Sequence, residues 1–79
     1  MAEPIFIVVP FVAGDGTSLY PASPVRSRFE GYARAVAEQA ALTYAGVAVI
    51  EQPADEFAEP RFVQAIGRVP ETMLHSLAA

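Results

Sequence analysis

Ile5 to Val12 (IFIVVPFV) constrains the fold more than any other stretch. In an extended chain its residues alternate between two faces. Ile5, Ile7, Val9 and Phe11 form one face, Phe6, Val8 and Val12 the other, and both are apolar. A strand with one wet face alternates apolar with polar, so a run like this predicts a strand covered on both sides. One helix covers one face of a small sheet. The other face needs a further layer, and a second subunit is the simplest source. Pro10 has no N–H to donate to a ladder, which predicts an edge or a bulge at that point.

The 79 residues fit a single domain over 1–79. A chain this short buries only about 60–65% of its unfolded surface. It has no cysteine, so no disulfide or thiolate metal site supports it. An idealised core or oligomerisation remains. The apolar fraction of 53% points to oligomerisation, although 15 of those residues are alanine. The 22 Ile, Leu, Val and Phe residues suffice for one core.

The net charge is −4, with five arginines and no lysine. Arg26, Arg28, Arg34, Arg61 and Arg68 form no dense run. This argues against nucleic acid, which needs a basic stripe to displace counterions, and against anionic membrane surfaces. The longest apolar run, Pro4 to Ala13, falls short of the ~20 residues that cross a bilayer. Glu3 stands where a secretory signal would be basic, so a cytoplasmic location is the default expectation.

Gly14-Asp15-Gly16 follows the first strand and predicts a hairpin, with Thr17 to Tyr20 as the return strand and Pro21 and Pro24 ending it. Ser27-Arg28-Phe29-Glu30 fits a capping box, which predicts a main helix over about 28–45 with Gly46 as its C′ residue. Phe29, Tyr32, Ala33, Val36, Ala37, Ala40, Thr43 and Tyr44 share the expected core face. Gly31, Ala35 and Leu42 form a weakly apolar second stripe beside Glu30, Arg34 and Glu38. That stripe reads either as an ordinary alanine-rich surface or as a contact for the C-terminal tail or a partner helix. Val47 to Glu51 reads as a strand and 53–59 as an acidic loop. Residues 61–69 fit a strand or a helix, with the β-branched residues favouring strand. Pro70 to Ala79 predicts a short C-terminal helix with Met73, Leu74 and Leu77 on its apolar side.

Chemistry-bearing motifs are sparse. The glycine turn with Thr17 and Ser18 resembles a phosphate loop only superficially, because no Walker or dinucleotide spacing accompanies it. His75 stands alone beside Ser76, and neighbours on a helix do not face each other. Glu51, Asp55, Glu56 and Glu59 cluster without calcium-loop spacing. No metal and no cofactor are expected. Tyr32 and Tyr44 fall on the core face, where they either pack the core or line a pocket between helix and sheet. Arg26 and Arg28 flank the predicted helix start, where the pair could hold an anion.

Val9-Pro10-Phe11 with Asp15-Gly16, Tyr44-Ala45-Gly46-Val47-Ala48-Val49 and Gly67-Arg68-Val69-Pro70 resemble small uncharacterised proteins of high-GC proteobacteria. The resemblance covers about residues 5–70 through short motifs and implies a hairpin–helix–hairpin (ββαββ) layout without an activity. A second resemblance is to the tautomerase superfamily, whose short β-α-β chains oligomerise and use an N-terminal proline amine. Here the second residue is Ala2 and Pro4 lies inside the chain, which puts that chemistry in doubt.

The resulting expectation is an α+β fold. A mostly antiparallel sheet of three to four strands carries the main helix on one face, with a short C-terminal helix. The expected role is a non-enzymatic module that associates with itself, as a homodimer or larger, through Phe6, Val8, Ala35, Leu42, Leu74 and Leu77. Two alternatives stay open. One is an oligomeric small-ligand-binding protein or tautomerase-like enzyme, with Tyr32 and Tyr44 lining its pocket. The other is an acidic, antitoxin-like inhibitor with a heterologous protein partner.

Overall fold

Apolar on both faces, Ile5–Ala13 forms β1 at the centre of the sheet, paired on both of its sides. The computed structural model describes residues 3–16, 18–55 and 57–70. On one side β1 pairs antiparallel with β4 (Gly46–Gln52), which pairs antiparallel with β5 (Arg61–Gly67). On the other side it pairs with two short strands in turn, β2 (Leu19–Pro21) and β3 (Val25–Ser27). The helix α1 (Glu30–Ala40) links β3 to β4.

The sheet therefore has five strands, where three to four were expected, and β3 is the addition. Between the pairs Phe11↔Pro21 and Val8↔Val25, β1 contributes Val9 and Pro10 while the edge contributes Ala22, Ser23 and Pro24. One extra residue is a bulge. The two prolines interrupt the edge strand, and pairing then resumes one residue out of step. Pro10 sits opposite this break. Its carbonyl accepts the Ala22 N–H at 2.8 Å, so the side of Pro10 that lacks a donor faces the interruption and spares the β4 ladder. The bulge expected at Pro10 thus lies in its neighbour.

The glycine turn closes the β1–β2 hairpin. Gly14 N–H donates to Ser18 O at 2.9 Å and Ser18 N–H to Asp15 O at 3.1 Å, with Gly16 at φ +64.

The helix starts later than the capping box predicts. Ser27 ends β3, paired with Phe6, and its hydroxyl accepts the Phe29 N–H at 3.0 Å. Phe29 is the N-cap residue in extended conformation, without a side-chain cap. Strand pairing holds Val25 to Ser27 extended, so no helical turn can form there. The helix also ends earlier. Residues 41–45 turn out of it, with Tyr44 N–H donating to Ala40 O at 2.8 Å, and Gly46 opens β4 instead of serving as a cap.

Phe6 and Val8 of β1, Val47 and Val49 of β4, and Ala33 and Ala37 of α1 form the core between helix and sheet. Fully burying a valine contributes about 1.5–3 kcal/mol. Two alanines at the contact bring α1 close to the sheet. Val36, Ala40, Val63 and Ile66 pack around them. Residues 61–67 are a strand, with Val63 as an extra residue between the pairs Val49↔Gln64 and Ile50↔Phe62.

The second sheet face carries Ile5, Ile7, Val9, Phe11, Ala48, Ile50 and Phe62. At one end the chain itself crosses this face. Gly67 at φ +71 turns the backbone, and Arg68 N–H donates to Ala45 O at 3.0 Å. A Cβ on Gly46 would collide with the Arg68 carbonyl and stand 2.7 Å from its amide nitrogen. Gly46 precedes Val47, a core residue, so its missing Cβ points to this second face. The Arg68 backbone therefore lies over Gly46 on this face, where Phe11, the β1 partner of Gly46, is 2% exposed and Ala48 is 0% exposed. The expected C-terminal helix, with Leu74, Leu77 and His75, lies outside the described residues.

Candidate functional site

Two surfaces stand out, one on each side of the sheet. The first is an open groove of about 470 Å³ at the end of the second face that Arg68 leaves uncovered, lined by Ile5, Ile7, Arg26, Ser27, Arg28 and Gln52. Register explains the gathering. Ile5 pairs with Gln52, and Ile7 lies between Ile50 and Arg26. Directly paired residues share a face, and strand alternation carries Arg28 to the side of Arg26. The half-buried isoleucines form an apolar floor with guanidiniums at one rim and an amide at the other. Ser27 Oγ is already engaged, with the N–H of Phe29 and, at 3.3 Å, its carbonyl.

Of the other three arginines, two are paired and Arg68 is not, among the described residues. Arg34 Nε donates to Glu30 at 2.9 Å, and its Nη1 reaches Gln64 Oε1 at 3.5 Å. Arg61 Nε donates to Glu51 at 2.7 Å. Glu51 raises the Arg61 pKa, first through this hydrogen bond and then through its charge. A raised pKa means a contribution held at every pH below the guanidinium range and lost only above it. Arg26 and Arg28 have no ion pair among the described residues.

The second surface is on the helix side. Arg34 directs its flank of α1 toward Gln64 of β5. Tyr32 points about 160° away around the helix, toward β3. Beside it Val25 is 38%, Phe29 72% and Tyr32 59% exposed. Continuing round the helix, Gly31, Ala35 and Gln39, with Leu42 in the turn that follows α1, make an exposed stripe of uncharged residues, with Leu42 81% exposed. Val12 and Tyr20, a directly opposed pair, are also exposed.

The sequence-predicted residues divide accordingly. Phe6 and Val8 do not face outward; they are buried under α1, on the opposite side of β1 from the free face. Both faces of β1 are apolar, and alternation alone does not say which one meets the helix. Ala35 and Leu42 are exposed as expected. Tyr32 and Tyr44 are not brought together under the helix. Tyr44 lines a separate recess of about 420 Å³ with Val12, Ala13, Thr43 and Ala45. Asp55 Oδ1 accepts the Phe57 N–H at 3.0 Å, and Glu51 is tied to Arg61. No group of three acidic or histidine side chains that could hold a metal occurs among the described residues. Nor is any described helix long and apolar enough to cross a membrane.

The groove was half legible. The sequence sets Arg26 and Arg28 together as a pair, but at a helix start. Recognising 25–27 as a strand would have placed both guanidiniums on one face with Ile7.

No family model matches the chain, and no curated protein or solved structure matches it either.

Proposed function

We propose that this chain is a non-enzymatic interaction module that associates with a second copy of itself through the outer face of α1. The observation that carries the reading is the exposed, uncharged stripe of Gly31, Tyr32, Ala35, Gln39 and Leu42. Glu30 and Arg34 lie on one flank of the helix, and Glu38, one turn before Leu42, borders the stripe, where its carboxylate can stay at the wet rim of a two-fold contact. A two-fold contact of α1 with α1 is self-complementary, which is what a C₂ dimer requires. Among the described residues, no atom lies within 4 Å of where a Cβ on Gly31 would sit. Glycine is a poor helix residue, and no described residue of the same copy asks for it. Close approach of a second backbone does ask for it. Phe29 and Val25 continue the apolar surface onto the β3 edge.

Light scattering across a concentration series tests this. The parent chain is expected to dimerise. Leu42→Glu is expected to weaken the dimer by about 2 kcal/mol, some 30-fold in Kd. Its exposure in one copy leaves the monomer's circular dichroism unchanged. A parent that stays monomeric at millimolar concentration overturns the reading and moves the surface to a heterologous partner. So does a Leu42→Glu chain that dimerises like the parent.

A further inference from the structure

The groove over Ile5 and Ile7 lies on the opposite side of the sheet from the proposed dimer surface, and its chemistry differs. The chain has nine acidic residues and five arginines, yet two arginines and no carboxylate are among the described residues lining the groove. Pairing would be the easy fate of an arginine on so acidic a surface, as for Arg34 and Arg61. Arg26 and Arg28, which have no ion pair among the described residues, instead place two guanidiniums beside half-buried isoleucine. Strand pairing fixes the backbone of Arg26, so the charge is set at a defined distance from the floor. Gln52, across the floor from Arg26, adds an amide that can donate or accept. A guanidinium fork matches a carboxylate's two oxygens, and an apolar floor matches a short hydrocarbon tail. The volume falls within the ~300–1,000 Å³ of small-molecule sites.

We propose that this groove binds a small amphipathic carboxylate, with its head between Arg26 and Arg28 and its apolar tail along Ile5 and Ile7. The inference does not rest on self-association.

Octanoate, below its micellar concentration, is the probe, titrated into the full ¹⁵N-labelled chain and followed by amide and side-chain shifts. Saturable shifts confined to Ile5, Ile7, Arg26, Arg28 and Gln52 are expected. Octanol lacks the head and acetate lacks the tail, so each is expected to bind at least about tenfold more weakly. Arg26→Gln with Arg28→Gln is expected to lower octanoate affinity by about tenfold or more. Arg28→Gln alone, outside any strand, keeps the fold and gives a smaller loss in the same direction. Three results overturn the proposal: no saturable shift with octanoate, octanol binding within about twofold of octanoate, or Arg28→Gln binding octanoate like the parent.

Discussion

Replacing Gly46 with alanine tests whether the chain crosses the second sheet face at Arg68. Gly46 has no positive φ, so backbone strain is not the issue. The new methyl would occupy the place of the Arg68 carbonyl, and backbone cannot swing aside as a flexible side chain can. Arg68 must retreat by well over an ångström. That breaks its 3.0 Å hydrogen bond to Ala45 O, a loss of about 1–3 kcal/mol where the partner is left unsatisfied. Retreat also opens the face around Gly46, whose β1 partner Phe11 is 2% exposed, at a further expected cost of about 1–2 kcal/mol. Against this, alanine restricts the unfolded chain and returns about 0.4–1 kcal/mol. The net expectation is about 3 kcal/mol, a large share of the ~4–12 kcal/mol that a chain of this length has. Thermal unfolding by circular dichroism is then expected to show a Tm lower by about 12–24 °C. Gly16→Ala is the control. Gly16 has φ +64 but open space around it, so only left-handed strain of about 1–2 kcal/mol applies. A Gly46→Ala chain that melts within about 3 °C of the parent would refute the crossing.

Two further outcomes follow from the core and the helix start. Val49→Ala removes two carbons from a fully buried site under α1 and is expected to cost about 2–3 kcal/mol in urea unfolding, whereas Leu42→Ala changes the isolated monomer by less than about 0.5 kcal/mol. Ser27→Ala loses one exposed hydrogen bond to the Phe29 N–H and is expected to cost about 0.5–1 kcal/mol without shortening α1 by NMR secondary shifts; loss of the helix's first turn would restore the capping box instead.

Much of the fold was legible because its signals are local. The apolar run of β1, the glycine hairpin, the β-branched residues of β4 and the 3.6-residue period of α1 each act within a dozen residues. The misreadings have non-local causes. Pro21 and Pro24 are sound reasons to end a strand, and only pairing with Phe6 to Val8 lets Val25 to Ser27 extend again. That same pairing holds Ser27 extended and displaces the helix start to Glu30. Phe29 and Tyr32 share a helical face with Ala33 and Val36, but the sheet contact centres on Ala33 and Ala37. Small side chains at the contact leave no depth for aromatic rings, so the helix is rotated and both rings are exposed. For β1 the difficulty is of another kind. Its two faces are equally apolar, and the choice between them is made by β4, whose Val47 and Val49 accompany Phe6 and Val8 to the helix.

How copies of this chain can meet also follows from the edges of the sheet. A free edge strand is the usual route by which sheets join, and natural sheets blunt it with prolines, charges and bulges. Both edges here are blunted. On one side the β2–β3 edge is broken by a bulge between Pro21 and Pro24, and no uninterrupted run of donors exceeds three residues. On the other side β5 carries a bulge at Val63 and begins at Arg61, which is held by Glu51. A sheet running on through a second copy would have to pair against one of these irregular registers. The second face is crossed by Arg68 at one end and bordered by two unpaired arginines at the other, so stacking it on a copy of itself would bring four guanidiniums together. The outer stripe of α1 offers exposed apolar surface with no broken hydrogen-bond pattern and with charge along one border alone. The proposed self-association through the helix would leave the arginine groove free to take an anion in either state of assembly.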